Sequence, residues 1–234
     1  MARFERIQQK WDVTPKEAIL VQERLRDRVV TEDRLSRLLH IGGADVHFDR
    51  SGSHAQAAVV VMSFPDLQPE ERAVARTRVD FPYLPGLLSF RELPPVIAAM
   101  SMLKTLPDLL ICDGQGYAHP RRFGLACHLG VVTGIPAIGA AKTRLLGTYP
   151  ELPEERGAWV PITDGTEVVG AALRTRTGVK PLFVSVGHRI SLLTAIRIVL
   201  ECTPRYRLPE TTRLADRLSR QGTEEGLRAN STVV

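Results

Sequence analysis

The chain has 234 residues, enough for one ordinary α/β domain, and 44% of them are hydrophobic, so a substantial core can be buried. The 31 Lys and Arg against 26 Asp and Glu leave a net charge of +5, which favours polyanionic partners such as nucleic acid only weakly. No apolar run reaches the roughly 18 residues of a membrane span, residues 1–6 do not read as a signal peptide, and Cys112, Cys127 and Cys202 lack CxxC spacing, which argues against a disulfide scaffold or zinc site and fits a reducing cytoplasm.

In chain order, Thr14-Pro15-Lys16-Glu17 reads as a capped helix start. The helix is expected to run to about Arg28 with Leu20 and Leu25 in the core, and a second charged helical stretch is expected over 31–39. Residues 41–48, 55–63 and 73–79 read as three strands, the second built on the β-branched run Val59-Val60-Val61. Turns are expected at Gly52-Ser53 and over 65–69. Pro82 and Pro85 break regular structure around Tyr83, and 95–106 reads as a helix. A short buried strand, 109–112, ends at Asp113, followed by a Gly-rich loop, a helix over 124–132 and a strand over 135–140. Residues 159–162 and 168–173 suggest a hairpin around Asp164-Gly165, 182–186 a further strand, and 191–201 and 212–220 two helices. Residues 221–234 lack apolar periodicity and read as a frayed tail. A three-strand meander followed by helix, strand, helix, strand suggests an α/β fold, a mixed sheet flanked by helices, the order found in ribonuclease-H-like folds.

Three acids stand out. Asp45 interrupts the apolar strand Ile41-Gly42-Gly43-Ala44-Asp45-Val46, where a carboxylate is costly unless a partner or cation compensates it. Asp113 sits at the carboxyl end of a buried strand, where ligand sites of open α/β sheets gather. Glu92 lies just before Pro94-Pro95. Each has a structural alternative: a buried salt bridge for Asp45, an Asp-Gly turn for Asp113, a capping box with Ser89 for Glu92. Together they suit hard Mg²⁺, which takes oxygen ligands, activates water and stabilises the leaving oxygen in phosphodiester cleavage.

The motifs Ile41-Gly42-Gly43-Ala44-Asp45-Val46, Pro82-Tyr83-Leu84-Pro85-Gly86-Leu87-Leu88-Ser89-Phe90-Arg91-Glu92, Asp113-Gly114-Gln115-Gly116-Tyr117-Ala118-His119-Pro120-Arg121-Arg122, Ala141-Lys142-Thr143-Arg144-Leu145, Gly187-His188-Arg189-Ile190-Ser191 and Arg207-Leu208-Pro209-Glu210 resemble, in this order, those of the endonuclease V family. The resemblance implies a ribonuclease-H-like fold, a single catalytic domain over 1–220, and recognition of deoxyinosine (hypoxanthine) in DNA. It implies hydrolysis of the second phosphodiester bond 3′ to the lesion, leaving 3′-hydroxyl and 5′-phosphate ends; some members act on inosine in RNA. The cofactor implied is Mg²⁺, with Mn²⁺ as an alternative, and a monomer is assumed.

The resemblance also implies site roles. Asp45, Glu92 and Asp113 match metal-binding acids, and Asp216 matches a fourth ligand that is Asp or His in the family; by itself it reads as an exposed helical acid. Lys142 matches a lysine near the cleaved phosphate, where it would stabilise developing charge. Tyr83 falls in the wedge motif that enters the duplex, an aromatic ring stiffened by prolines and able to fill the gap left by a flipped base. Gly86, Leu88, Gly114 and Gly116 match the surroundings of the lesion pocket. His119, His188 and Arg121, with Arg122, are placed near substrate, against the alternatives of structural histidines and a solvated basic face. Gln115 stands where many relatives have His, His47 where Ser is common, and Thr211 where Pro is usual. Alternatives are a related metal nuclease with another target and a non-catalytic reader of deaminated nucleic acid.

Overall fold

The structure, a computed structural model, describes residues 7–221. The expected tail therefore lies outside the described residues except for Gln221. Helix α1 (Pro15–Arg26) begins at the Thr14–Glu17 capping box read from the sequence. It buries Ala18, Gln22 and Leu25, whereas Leu20 points outward at 62% exposure, contrary to expectation.

Eight strands form one sheet in the order β3-β2-β1-β4-β5-β8-β7-β6. The meander β1 (His40–Phe48), β2 (His54–Ser63) and β3 (Pro69–Arg78) is antiparallel. Strands β4 (Leu109–Cys112) and β5 (Ala137–Ala141) extend it in parallel from β1. Then β8 (Leu182–His188), β7 (Glu167–Leu173) and β6 (Trp159–Asp164) complete it antiparallel, with the expected hairpin between β6 and β7.

The period-two alternation of the strands splits the core into two layers. Ile41, Val60, Leu109, Ile111 and Ile138 face α4 (Leu192–Glu201) and α5 (Glu210–Ser219). On the other face Val59, Val61, Leu110 and Cys112 pack under α2 (Ser89–Met100) and α3 (Leu125–Thr133). The three cysteines are free and buried. No helix among the described residues is long and apolar enough to cross a membrane.

Two expectations fail for identifiable reasons. Residues 31–39 are not helical. Their polar groups are committed elsewhere: Arg34 N donates to the Arg189 carbonyl, Leu39 N donates to Asp108, and the Asp33 carboxylate accepts from Ser191 and Thr194 at the start of α4. Tertiary partners outweigh a modest local propensity there. Helix α2 starts at Ser89, six residues before the expected start, and carries Pro94 and Pro95 inside it. Its first turn is closed by Phe90, Arg91 and Glu92 amides upstream of the prolines, whose fixed φ suits the helix. Ser89 caps nothing; its hydroxyl meets buried His128 Nδ1 at 2.9 Å.

Candidate active site

Parallel pairing of β1 with β4 sets Ala44 opposite Cys112, so Asp45, inside β1, and Asp113, just past the carboxyl end of β4, come side by side. Helix α5 then crosses β1 at very short range. A Cβ on Gly43 would stand 2.3 Å from the Thr211 carbonyl carbon, so only glycine permits this approach. The crossing brings the end of α5 over Asp45. Ser219, fully buried, donates to Asp45 Oδ2 at 2.7 Å. Gln56 of β2 pins that helix end by donating to the carbonyls of Ser219 at 2.9 Å and Gln221 at 2.7 Å. Asp216, one turn earlier, is close enough to disfavour ionisation of Asp45 and pairs with Arg220 at 3.2 Å. Glu92 arrives from the opposite layer, in the first turn of α2.

Asp45, Glu92 and Asp113 line one hollow of about 30 Å³ backed by Val96, Leu125 and Leu129. Burial, reinforced by Asp45 and Asp113, pushes Glu92 up to about 8. Burial also raises Asp45, helped by Asp216 and Asp113 and opposed by Ser219 and Lys142. Lys142 Nζ forms an ion pair with Asp113. Partial burial would lower the lysine, but Asp113, with Asp45 and Asp216 beyond it, holds it above its ordinary value.

Among the described residues, no three His, Cys, Asp or Glu side chains stand close enough to cage a metal ion as placed. The donor set nevertheless fits a hard cation. It is all oxygen, its members repel one another, and the Glu92 carboxylate has no hydrogen bond or ion pair among the described residues to stabilise its charge.

Asp113 also lines a second cavity of about 460 Å³, which joins the acids to the loop between β3 and α2. Tyr83, Gly86, Leu88, Gly114, His119 and Lys142 lie along it, with the Tyr83 ring 69% exposed. Arg91 Nη1 holds the Phe81 carbonyl of this loop at 2.7 Å, and three further side chains converge on one other carbonyl. Gly86, at φ +79°, accepts from Gln22 Nε2 at 2.9 Å, Arg121 Nη2 at 2.8 Å and His119 Nε2 at 3.0 Å. Since Arg121 N donates to His119 Nδ1, the ring proton resides on Nε2. Burial, with Arg121 adding to it, pushes His119 down to about 4, so the ring is neutral near pH 7.

The expected substrate residues thus divide. Tyr83, Gly86, Leu88, Gly114 and His119 share the cavity. Gly116 is packed against the Val186 carbonyl and does not line it. His188, pushed down to about 4 by burial and by Arg189 and Arg34, accepts from Val30 N and also lies outside the lining. Arg121 is turned onto Gly86 and Gln22, and Arg122 is paired with Asp164 and Glu167, each at 2.8 Å. Sequence reasoning missed Gln22, Gln56 and Ser219. Gln22 left a trace: an amide on the buried stripe Ala18–Gln22–Leu25 needs partners.

The family model described as Endonuclease V matches residues 23–217. The chain belongs to the endonuclease V family. It is therefore a nuclease, and its mixed sheet is the ribonuclease-H-like fold. Endonuclease V of Roseiflexus castenholzii is 55% identical over 212 residues, covering 91% of this chain and 95% of that one. The crystal structure of endonuclease V from Streptomyces avermitilis superposes with a TM-score of 0.87 at 45% identity, over 98% of this chain and 100% of its own. A Ciona intestinalis endonuclease V in complex with DNA containing an inosine followed by a ribo-adenosine superposes with a TM-score of 0.81 at 30% identity, over 93% and 100%.

Proposed function

We propose that this endonuclease recognises deoxyinosine in DNA and hydrolyses the second phosphodiester bond 3′ to it, leaving 3′-hydroxyl and 5′-phosphate ends. The observation that carries the reading is the junction at Asp113, where an acidic hollow opens into a cavity rimmed by an exposed, proline-flanked tyrosine. The Ciona complex with inosine-containing DNA supports the choice of base. Residues 1–220 act as a single catalytic domain.

Asp45, Glu92, Asp113 and Asp216 would hold Mg²⁺, or Mn²⁺ in its place. Such an ion supplies an activated water and stabilisation of the leaving oxygen. The chain's own groups do the rest. Tyr83 enters the stack as the hypoxanthine leaves it, and the walls at Gly86, Leu88 and Gly114 receive the base. Neutral His119 and Arg121 act on substrate indirectly, by holding the Gly86 carbonyl and with it the tyrosine loop. Gly116 supports the wall at Gly124, whose amide donates to the Gly116 carbonyl, whereas His188 stands outside the lining. Lys142 brings a positive charge beside the acids, where it attracts the phosphate and stabilises charge developing on it.

The test is a labelled duplex carrying one deoxyinosine, an adenosine control and an inosine RNA of the same sequence, each with Mg²⁺. The expected result is one cut in the lesion strand, two bonds 3′, and none in the control. Equal cutting of lesion and control would refute the reading, and preference for the RNA would move the substrate class to RNA.

A further inference from the structure

The segment after β5 carries Lys142 on an exposed stretch, residues 142–145, which lines the larger cavity and from which Lys142 turns to Asp113. Two side chains from distant elements grip its backbone at consecutive peptide groups. Arg207 Nη2 donates to the Lys142 carbonyl at 2.7 Å and to Pro181 O at 2.7 Å. Gln115 Nε2 donates to the Thr143 carbonyl at 2.8 Å. Gln115 sits two residues beyond Asp113, the ion-pair partner of Lys142, so one short loop holds both ends of that pair.

Both gripping residues also carry an unsatisfied atom. Gln115 Oε1 and Arg207 Nε are buried without a hydrogen-bond partner among the described residues. A buried orphan polar atom is destabilising, and an apolar residue of similar shape would avoid it. Stability therefore does not explain why a glutamine and an arginine stand here. What each of them secures is the position of a backbone carbonyl on the segment that bears Lys142.

The geometry points to Gln115 and Arg207 as positioning residues that form a clasp on the 142–143 backbone and fix the Lys142 amine beside Asp113. The inference rests on the reading of Lys142 as the phosphate-facing cation. Without the clasp, the exposed segment moves as a unit and the amine samples positions away from the acids. A misplacement of about 1 Å in a group acting on the transition state is enough to slow the reaction up to about a hundredfold. Gln115 itself lines the cavity beside Gly114, and an unchanged Kd for the lesion duplex separates the clasp from a direct contact with the base.

Gln115→Met tests this, since it keeps the side-chain length, removes the donor and removes the orphan acceptor. Four readouts apply: single-turnover cutting of a deoxyinosine duplex with Mg²⁺, the Kd for that duplex without metal, the melting temperature, and hydrogen–deuterium exchange of a peptide covering 142–148. The expected result is a rate lowered by about ten- to a hundredfold, with Kd and melting temperature unchanged and faster exchange in that peptide. Gln115→His, which retains a ring N–H, is expected to recover most of the rate. In a Lys142→Ala background, Gln115→Met is expected to add no further loss, because residues acting through one another are non-additive.

Unchanged exchange, or the same fold-loss from Gln115→Met with and without Lys142, would overturn the clasp. If Lys142→Ala alone cuts at the normal rate, the reading of Lys142 fails instead, and the two failures are distinguishable.

Discussion

Replacing Glu92 by Gln should stabilise the metal-free enzyme above neutral pH. Burial and the nearby Asp45 and Asp113 raise Glu92 from 4.5 to about 8 in the folded chain. The sign follows from proton counting. Below pH 4.5 the carboxyl is protonated in both states and contributes no pH dependence. As pH rises from 4.5 towards 8, the unfolded chain releases the proton while the folded chain keeps it, so folding stability falls throughout that window and levels off above it. At about 1.36 kcal/mol per pH unit, this gives a ceiling of about 5 kcal/mol at alkaline pH. Asp45, also raised, acts in the same direction.

Glutamine keeps the shape and never ionises, so it removes the Glu92 part of this cost. Urea unfolding in EDTA at about pH 5 and about pH 8.5 measures the difference. Glu92→Gln should come within about 1 kcal/mol of the parent at the lower pH and exceed it by up to a few kcal/mol at the higher. Addition of Mn²⁺ should stabilise the parent far more than the variant, because the ion supplies the compensation that the fold lacks. Equal stability of the two proteins at the higher pH would refute the reasoning that burial and the neighbouring acids disfavour a charge on Glu92.

Gln22→Leu leaves the Phe123 carbonyl and Arg121 Nε without their partner; urea unfolding should show a loss of about 2–4 kcal/mol, with weaker lesion binding through the loosened Tyr83 loop, and full stability would sink the anchoring argument. Gly43→Ala drives a methyl into the Thr211 backbone; thermal unfolding should register a loss of at least about 1–3 kcal/mol, and a neutral result would contradict the close crossing of α5 over β1. Ser219→Ala frees the Asp45 carboxylate; Mn²⁺ affinity followed by electron paramagnetic resonance should fall by about tenfold, the scale seen when a hydrogen bond orienting a ligand is removed, and unaltered affinity would remove Ser219 from the site.

What was legible in the sequence were features whose cost or pattern is local. A carboxylate in an apolar run marked Asp45, and a strand ending in Asp-Gly marked Asp113. The capping box located α1, and alternation located the strands of the meander. Helix α2 was misplaced because two prolines look like a start, whereas here they follow a first turn already closed by other amides. Residues 31–39 have a helical composition whose polar groups are captured by elements more than 60 residues away, as in Leu39 N to Asp108. The contact of Ser219 with Asp45 spans 174 residues and depends on how closely α5 can approach Gly43, which no local pattern encodes. Likewise, the arginines after His119 read as phosphate contacts by charge alone, and only the folded positions of Gly86, Asp164 and Glu167 show where they turn.

We propose that the acids gathered around Asp45 hold the ion that cuts DNA beside deoxyinosine. The most direct measurement is single-turnover cutting by Asp45→Ala of a deoxyinosine duplex, at enzyme concentrations where a gel shift shows the duplex to be fully bound. Lesion binding should stay intact, with no detectable cut in either Mg²⁺ or Mn²⁺. Cutting by the bound variant at close to the parent's rate would contradict it.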